Sequence, residues 1–339
     1  MGILRLLLAL AVVAFHSVSS AGWPALWDAA PNGIVAVQAF FCISGFYMAL
    51  ILSTKYADRA LVFYETRLLR IWPVYWVVLL ITIFTIPQPA VEPGLRGVFT
   101  ILSNSTFLGL DWSAAFDLGS VIVPPAWTLG TELTFYLLAP FINKLRSRWL
   151  IAMLIASVVA RSILYSYGFN SDPWLYRIFP LELAWFLSGM LAYRFYASHS
   201  DRTYMHPAGV FAMCLMLASI AFYRELWTPV FDVVVPIVVR HPWMQFAFDQ
   251  TAGEGQLTKL LMPIALPFIF AFSRNLKVDG IIGELSYPIY MCHFLVLKLM
   301  QQHKIASGPI LITSTLILAS FLLFVTNPIE RYRSNRGRK

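Results

Sequence analysis

Five side chains stand inside strongly apolar stretches, where an ionisable group is costly to bury: His16, Glu132, Arg161, Glu182 and His293. His16 follows Arg5 by eleven residues, which at helical rise sets it ~16 Å deeper along a first helix, about mid-membrane. A neutral imidazole there can take a proton from a hydroxyl, the task of a general base near neutral pH. In the run from Trp127 to Tyr136, Glu132 and Tyr136 lie one helical turn apart on the face that also carries Thr128. A carboxylate on that polar stripe can orient a histidine or an acceptor hydroxyl, or it can serve only to tie helices together. Arg67 and Arg70 share a helical face and can clamp phosphates, although the same pair also reads as an ordinary topology signal. Arg161 and Glu182 read equally well as a pair that holds two helices together.

These groups need a membrane scaffold. Of 339 residues 59% are hydrophobic and only 12% are charged, about half the charge of a soluble chain. Apolar runs predict helices near 3–20, 34–53, 73–88, 125–142, 149–167, 177–197, 207–224, 256–272, 284–301 and 309–327. The expected fold is all-α, a polytopic bundle of about ten transmembrane helices with cytoplasmic N- and C-termini. It forms one membrane domain over 1–339 with a short basic tail at 328–339. Most Lys and Arg fall between the runs, in clusters such as Lys55/Arg59/Arg67/Arg70, Lys144/Arg146/Arg148 and Arg331/Arg333/Arg336, which this topology gathers on one side. The net charge of +8 is thereby explained without a nucleic-acid partner.

Two longer connections, near 89–124 and 225–255, fall outside, and each holds a short apolar piece (Gly97 to Leu110, Val230 to Val239) suited to an interfacial or re-entrant position. Trp23, Trp27, Trp112, Trp174, Tyr176, Trp227 and Trp243 lie in or near outer loops, where they can stack on sugars or anchor at the interface. Cys42, Cys214 and Cys292 lack metal-ligand spacing and read as buried apolar groups, so no metal is expected. The first twenty residues mimic a secretory signal, but His16 in the apolar core favours an uncleaved first helix.

Taken in order, several pieces resemble the acyltransferase 3 family of bacterial membrane proteins. They are Arg5 to His16, Phe40-Phe41-Cys42-Ile43-Ser44-Gly45-Phe46, Tyr64 to Trp76, Trp127 to Tyr136, Phe186-Leu187-Ser188-Gly189, and Gly283 to His293. The resemblance implies an O-acyltransferase of the cytoplasmic (inner) membrane, most simply an O-acetyltransferase. It would move an acyl group from acyl-CoA, a co-substrate rather than a bound cofactor, to a hydroxyl of an envelope carbohydrate such as exopolysaccharide, lipopolysaccharide or a lipid-linked oligosaccharide. It further implies His16 as the essential histidine, Arg5 as its companion, and Arg67 and Arg70 as the basic pair serving the donor, while Trp127, Glu132 and Tyr136 match the fourth-helix motif. Together with the polar positions read above, the candidate site is His16 and Glu132 as catalytic residues, Arg5, Arg67 and Arg70 as acyl-CoA-binding residues, and Trp127, Tyr136, Gln38, Tyr287, Tyr290 and His293 as acceptor-binding or positioning residues. Two departures stand out: Ala36-Val37-Gln38 where the family commonly has Gly-Val-Asp, and Tyr332 where it usually has proline. The rival class is a proton-coupled transporter or flippase of an envelope precursor, with the buried His and Glu as a proton relay.

Overall fold

A segment surrounded by lipid must close its backbone hydrogen bonds internally, so apolar runs of this length become helices. In the computed structural model, which describes residues 1–21, 33–88, 93–169, 172–221, 230, 233 and 256–337, every regular element is helical. The helices are α1 (Gly2–Ala21), α2 (Gly33–Ser53), α3 (Ala60–Thr85), α4 (Leu95–Thr106), α5 (Leu110–Phe116), α6 (Trp127–Lys144), α7 (Ser147–Ser166), α8 (Phe179–His199) and α9 (Met205–Ala221). They continue with α10 (Gln256–Ser273), α11 (Lys277–Glu284), α12 (Ser286–Gln302) and α13 (Gly308–Arg336). Five stretches among the described residues are long and apolar enough to cross a membrane: α2, α3, α7, α11 with α12 (Lys277–Gln302), and α13. Shorter apolar helices cover Gly2–Ser17, Met205–Ile220 and Thr258–Ser273.

Two boundaries differ from expectation in ways that matter for the site. α3 begins at Ala60 rather than near 73, so Arg67 and Arg70 lie within a 26-residue helix and not in a loop. Pro73 suggests a helix start because proline favours the first turn, but a membrane helix tolerates it inside when neighbours re-satisfy the backbone. At the other end α13 continues through Pro328 to Arg336, so residues 328–336 are a helical extension rather than a loose tail, with Tyr332 inside it. The Val230–Val239 piece and Trp23, Trp27, Trp227 and Trp243 lie outside the described residues, apart from Val230 and Val233 themselves.

Helix α2 is the central wall, packed against α1, α6, α8 and α10. Its approach to α8 is closest at two glycines. A Cβ on Gly45 would stand 1.9 Å from the Phe186 carbonyl oxygen, and one on Gly189 would stand 1.9 Å from that of Cys42. Small residues let membrane helices meet backbone to backbone, which explains the Ser-Gly pairs in both segments. Behind this contact, Gln38 of α2 donates to Glu182 Oε1 on α8 at 3.1 Å, and Arg161 of α7 reaches the same oxygen at 3.1 Å. The outer faces carry exposed Ile151, Ile155, Val159, Ile317, Phe321 and Phe324, the pattern of a surface that meets lipid.

The connection between α3 and α6 is built rather than loose. α4 buries Thr100, Ser103 and Asn104 and leaves Leu95, Val98, Ile101 and Leu102 exposed. The Asn104 amide donates to the carbonyls of Thr100 (2.8 Å) and Ser120 (2.7 Å), and Tyr75 Oη of α3 donates to the Asn104 carbonyl at 2.6 Å. A short helix with its polar face held by protein and its apolar face open suits the membrane interface.

Candidate active site

One face of α2, carrying Val37, Phe40, Phe41, Ser44, Tyr47, Met48 and Ile51, lines a cavity of about 260 Å³. These positions follow helical spacing, so a single stripe forms the wall. Arg5 of α1, Arg67, Arg70 and Ile71 of α3, Thr128, Leu129, Glu132 and Tyr136 of α6, and Ser286, Tyr287 and Tyr290 of α12 close the rest.

The end of the cavity formed by the start of α1, the start of α3 and the start of α12 is cationic. Arg67 is 7% exposed, and its Nε and that of Arg5 are buried without a hydrogen-bond partner. Arg5 lies 5.7 Å from the centroid of the Tyr47 ring. It also rests on Gly283, where a Cβ would come within 2.3 Å of Nη2, so the glycine of that C-terminal segment makes room for the guanidinium. Among the described residues the ion pairs join other groups, such as Met1 with Asp279, Arg161 with Glu182 and Arg177 with Asp172, and none includes Arg5, Arg67 or Arg70. Buried positive charge is costly, so a cluster of this kind suits an anion.

Beside it stands a hydroxyl–carboxylate–hydroxyl group. Ser44 Oγ donates a hydrogen bond to Glu132 Oε1, and Tyr136 Oη donates to the same oxygen at 2.5 Å. The second carboxylate oxygen makes no hydrogen bond among the described residues. On the opposite wall, Tyr287 Oη donates to the Ile71 carbonyl at 2.6 Å and ties α12 to α3 beside the arginines.

The histidines lie elsewhere. His16 does not line the cavity; its ring is 5.5 Å from that of His293, nearly parallel to it, and 4.6 Å from Phe294. His293 is 1% exposed, and its Nδ1 lies 2.7 Å from the Tyr290 carbonyl. A carbonyl only accepts, so Nδ1 carries the proton and Nε2, buried and without a partner, carries the lone pair. Tyr290 lines the cavity and His293 follows it by three residues, so the histidine pair sits one turn beyond the cavity, away from the arginines.

Seven of the expected residues therefore share one cavity: Arg5, Arg67, Arg70, Glu132, Tyr136, Tyr287 and Tyr290. His16 and His293 form a neighbouring pair. Trp127 packs against Tyr176 at 4.8 Å and beneath Arg177 at 5.2 Å, outside the lining. Gln38 belongs to the network with Glu182 and Arg161, which binds three helices. Ser44 and Tyr47 were not singled out from the sequence, although spacing along α2 puts both on the face of Phe40 and Phe41. Among the described residues no three His, Cys, Asp or Glu side chains converge in the manner of a metal site.

Comparison with known proteins places the chain in a family. The family model described as an acyltransferase domain matches residues 1–326, and the chain belongs to the acyltransferase 3 family. It is 24% identical over 293 residues to the acyltransferase MdmB of Streptomyces mycarofaciens, covering 81% of this chain and 70% of that one. It is 24% identical to the peptidoglycan O-acetyltransferase OatA of Listeria monocytogenes, covering 97% of this chain and 55% of that protein. An uncharacterized protein of Aquifex aeolicus is 24% identical over 64% of this chain. No solved structure matches. The chain is thus a membrane protein of an acyltransferase family.

Proposed function

We propose that this protein is an O-acyltransferase of the bacterial cytoplasmic membrane that takes an acetyl group from acetyl-CoA and places it on a hydroxyl of an envelope carbohydrate. The observation that carries the proposal is the cationic end of the cavity: three guanidiniums without carboxylate partners, next to a hydrogen-bonded carboxylate, inside an acyltransferase chain. Phosphates of a nucleotide thioester are the anions such a cluster suits. The basic clusters favour a topology of about ten crossings with both termini in the cytoplasm, which turns the arginine end toward the cytoplasmic donor. Similarity to an O-acetyltransferase of peptidoglycan supports acetyl as the group and an envelope glycan as the acceptor.

In this reading the CoA phosphates lie against Arg5, Arg67 and Arg70 and the thioester reaches inward past Tyr287. The acceptor hydroxyl arrives from the opposite side, beyond Tyr290, where the pair of His16 and His293 removes its proton. Holding both substrates in one frame supplies the placement term of catalysis. The test is mass spectrometry of envelope polysaccharide from cells with the intact chain, without it, and with His16→Ala or Arg67→Met at matched membrane levels. Acylation present only with the intact chain supports the reading. Unchanged acylation in all four refutes it, and proton-coupled uptake independent of acyl-CoA would put a transporter in its place.

A further inference from the structure

Serines and threonines inside these helices usually turn their hydroxyls back onto their own backbone, as Thr82 does to the Val78 carbonyl (2.7 Å), Ser162 to Val158 (2.9 Å) and Ser320 to Leu316 (2.8 Å). Ser44 does not. Its proton points across the cavity to Glu132 Oε1 on another helix, and that oxygen is held from a second side by Tyr136. A hydroxyl in hydrogen-bond reach of a base, with the base fixed by a third group, is the arrangement of an activated nucleophile.

The surroundings fit the same role. Ser44 lies eleven residues from the start of α2 and nine from its end, ~16 and ~14 Å at helical rise, so it sits near the middle of the helix. The arginine cluster lies to one side of it and the histidine pair beyond Tyr290 on the other. Gly45, the next residue, locks α2 onto the α8 backbone and fixes the direction in which Ser44 faces.

We infer that Ser44 is the nucleophile of a two-step transfer and carries the acyl group as a serine ester. The inference rests on the reading of this cavity as an acyl-CoA site. In the first step Ser44 Oγ attacks the thioester carbonyl as its proton passes to Glu132. The carbon–sulfur bond breaks, the thiolate takes that proton, and CoA leaves as the thiol. In the second step the acceptor hydroxyl attacks the serine ester, its proton taken by the histidine pair and returned to Ser44 Oγ. The net change is one acyl group moved from sulfur to oxygen, with no redox partner required.

The test uses the full-length protein in nanodiscs, with no acceptor present. The wild type exchanges labelled free CoA into unlabelled acetyl-CoA, which a direct transfer to the acceptor cannot do. Acid quenching followed by peptide mass spectrometry places an acetyl group on the Ser44 peptide. Ser44→Ala loses the exchange and the adduct while keeping the thermal shift that CoA induces, which shows that the variant is folded and binds. Ser44→Cys keeps an adduct but converts it from an ester to a thioester that neutral hydroxylamine removes, a change no packing role produces. Acceptor-dependent CoA release without exchange, with Ser44→Ala retaining turnover within a few-fold, overturns the serine ester and leaves the acyl-CoA reading standing. Exchange that persists in Ser44→Ala moves the acyl group to another side chain and overturns it equally. A wild type that neither binds CoA nor exchanges it overturns both readings.

Discussion

Replacing Arg67 by methionine is expected to make the empty protein more stable and the donor complex weaker. Arg67 is 7% exposed, has a buried Nε without a partner, and shares the end of its cavity with Arg5 and Arg70. Methionine keeps the length and apolar contacts of the side chain and removes the charge. Exchanging buried ionic groups for packed apolar ones of similar volume stabilises proteins by about 1–4 kcal/mol, and a cation without a carboxylate belongs at the favourable end of that range. The same substitution removes charge-assisted hydrogen bonds to a phosphate worth about 1.5–3 kcal/mol, which weakens binding roughly 10- to 150-fold. Thermal unfolding of purified protein, with and without saturating CoA, reads both effects. The melting temperature of the ligand-free variant should rise by a few degrees, and the shift produced by CoA should shrink or vanish. A variant that melts lower without ligand would show that Arg67 has a compensating partner. A variant that keeps the full CoA shift would place the phosphates elsewhere.

Gly189→Ala drives a Cβ to 1.9 Å from the Cys42 carbonyl oxygen. It should push α2 off α8 at a cost of about 1–3 kcal/mol, seen as a lower melting temperature together with reduced acyl transfer. Glu182→Ala removes the carboxylate that Arg161 and Gln38 both bond to and should destabilise by about 3–5 kcal/mol; the double variant Arg161→Met/Glu182→Leu should recover most of that loss in the same melt. Asp111, fully buried in α5 outside the membrane-spanning helices, has its carboxyl raised by burial to about 6. A raised carboxyl holds its proton longer in the folded state, so the stability of the native chain should fall as pH rises from about 4 to about 6 and then level off. Asp111→Asn should therefore stabilise by up to about 3 kcal/mol at pH 7 and by almost nothing near pH 4, in melts recorded across that range.

Much of the scaffold was legible because hydropathy and helix length are local properties. The expected starts and ends of the first two helices, of the helix carrying Glu132 and of the one carrying His293 fall within two residues of α1, α2, α6 and α12. The start of α3 was misplaced because proline at position 73 and charges before it look like a boundary in isolation, whereas packing against α12 and α13 carries the helix through. The chemistry was legible in part. Glu132 announces itself by the cost of a carboxylate in an apolar run, whereas the three arginines and three tyrosines that share its cavity are pointed to by motif and helical spacing rather than by cost. Ser44 has no comparable cost, since a serine in a membrane helix is ordinary; only the partner of its hydroxyl distinguishes it, and that partner lies 88 positions away in the chain. Gln38 was misleading for the opposite reason. Its place beside the Phe40–Phe41 pair suggests the cavity, but it lies off the lining stripe of α2 and faces Glu182 instead.

That substitution also changes how the carboxylate missing from Ala36-Val37-Gln38 should be understood. Glu182 supplies a carboxylate at the side chain of position 38, already engaged by Gln38 and Arg161 through one oxygen while Oε2 is buried without a partner. A carboxylate at position 38 would set a second negative charge directly against Glu182 in a buried network whose cations are Arg161 and Lys259, and repulsion between the two carboxylates would press one of them to take up a proton. The amide avoids this by donating a hydrogen bond to the charge that remains. If that account is correct, Gln38→Asp should destabilise the chain at neutral pH. Adding Glu182→Gln should then restore stability, because the pair again holds one carboxylate and one amide facing Arg161. A Gln38→Asp chain as stable as the native one would mean that water or Lys259 neutralises the second carboxylate, and the account of the amide at position 38 would be lost.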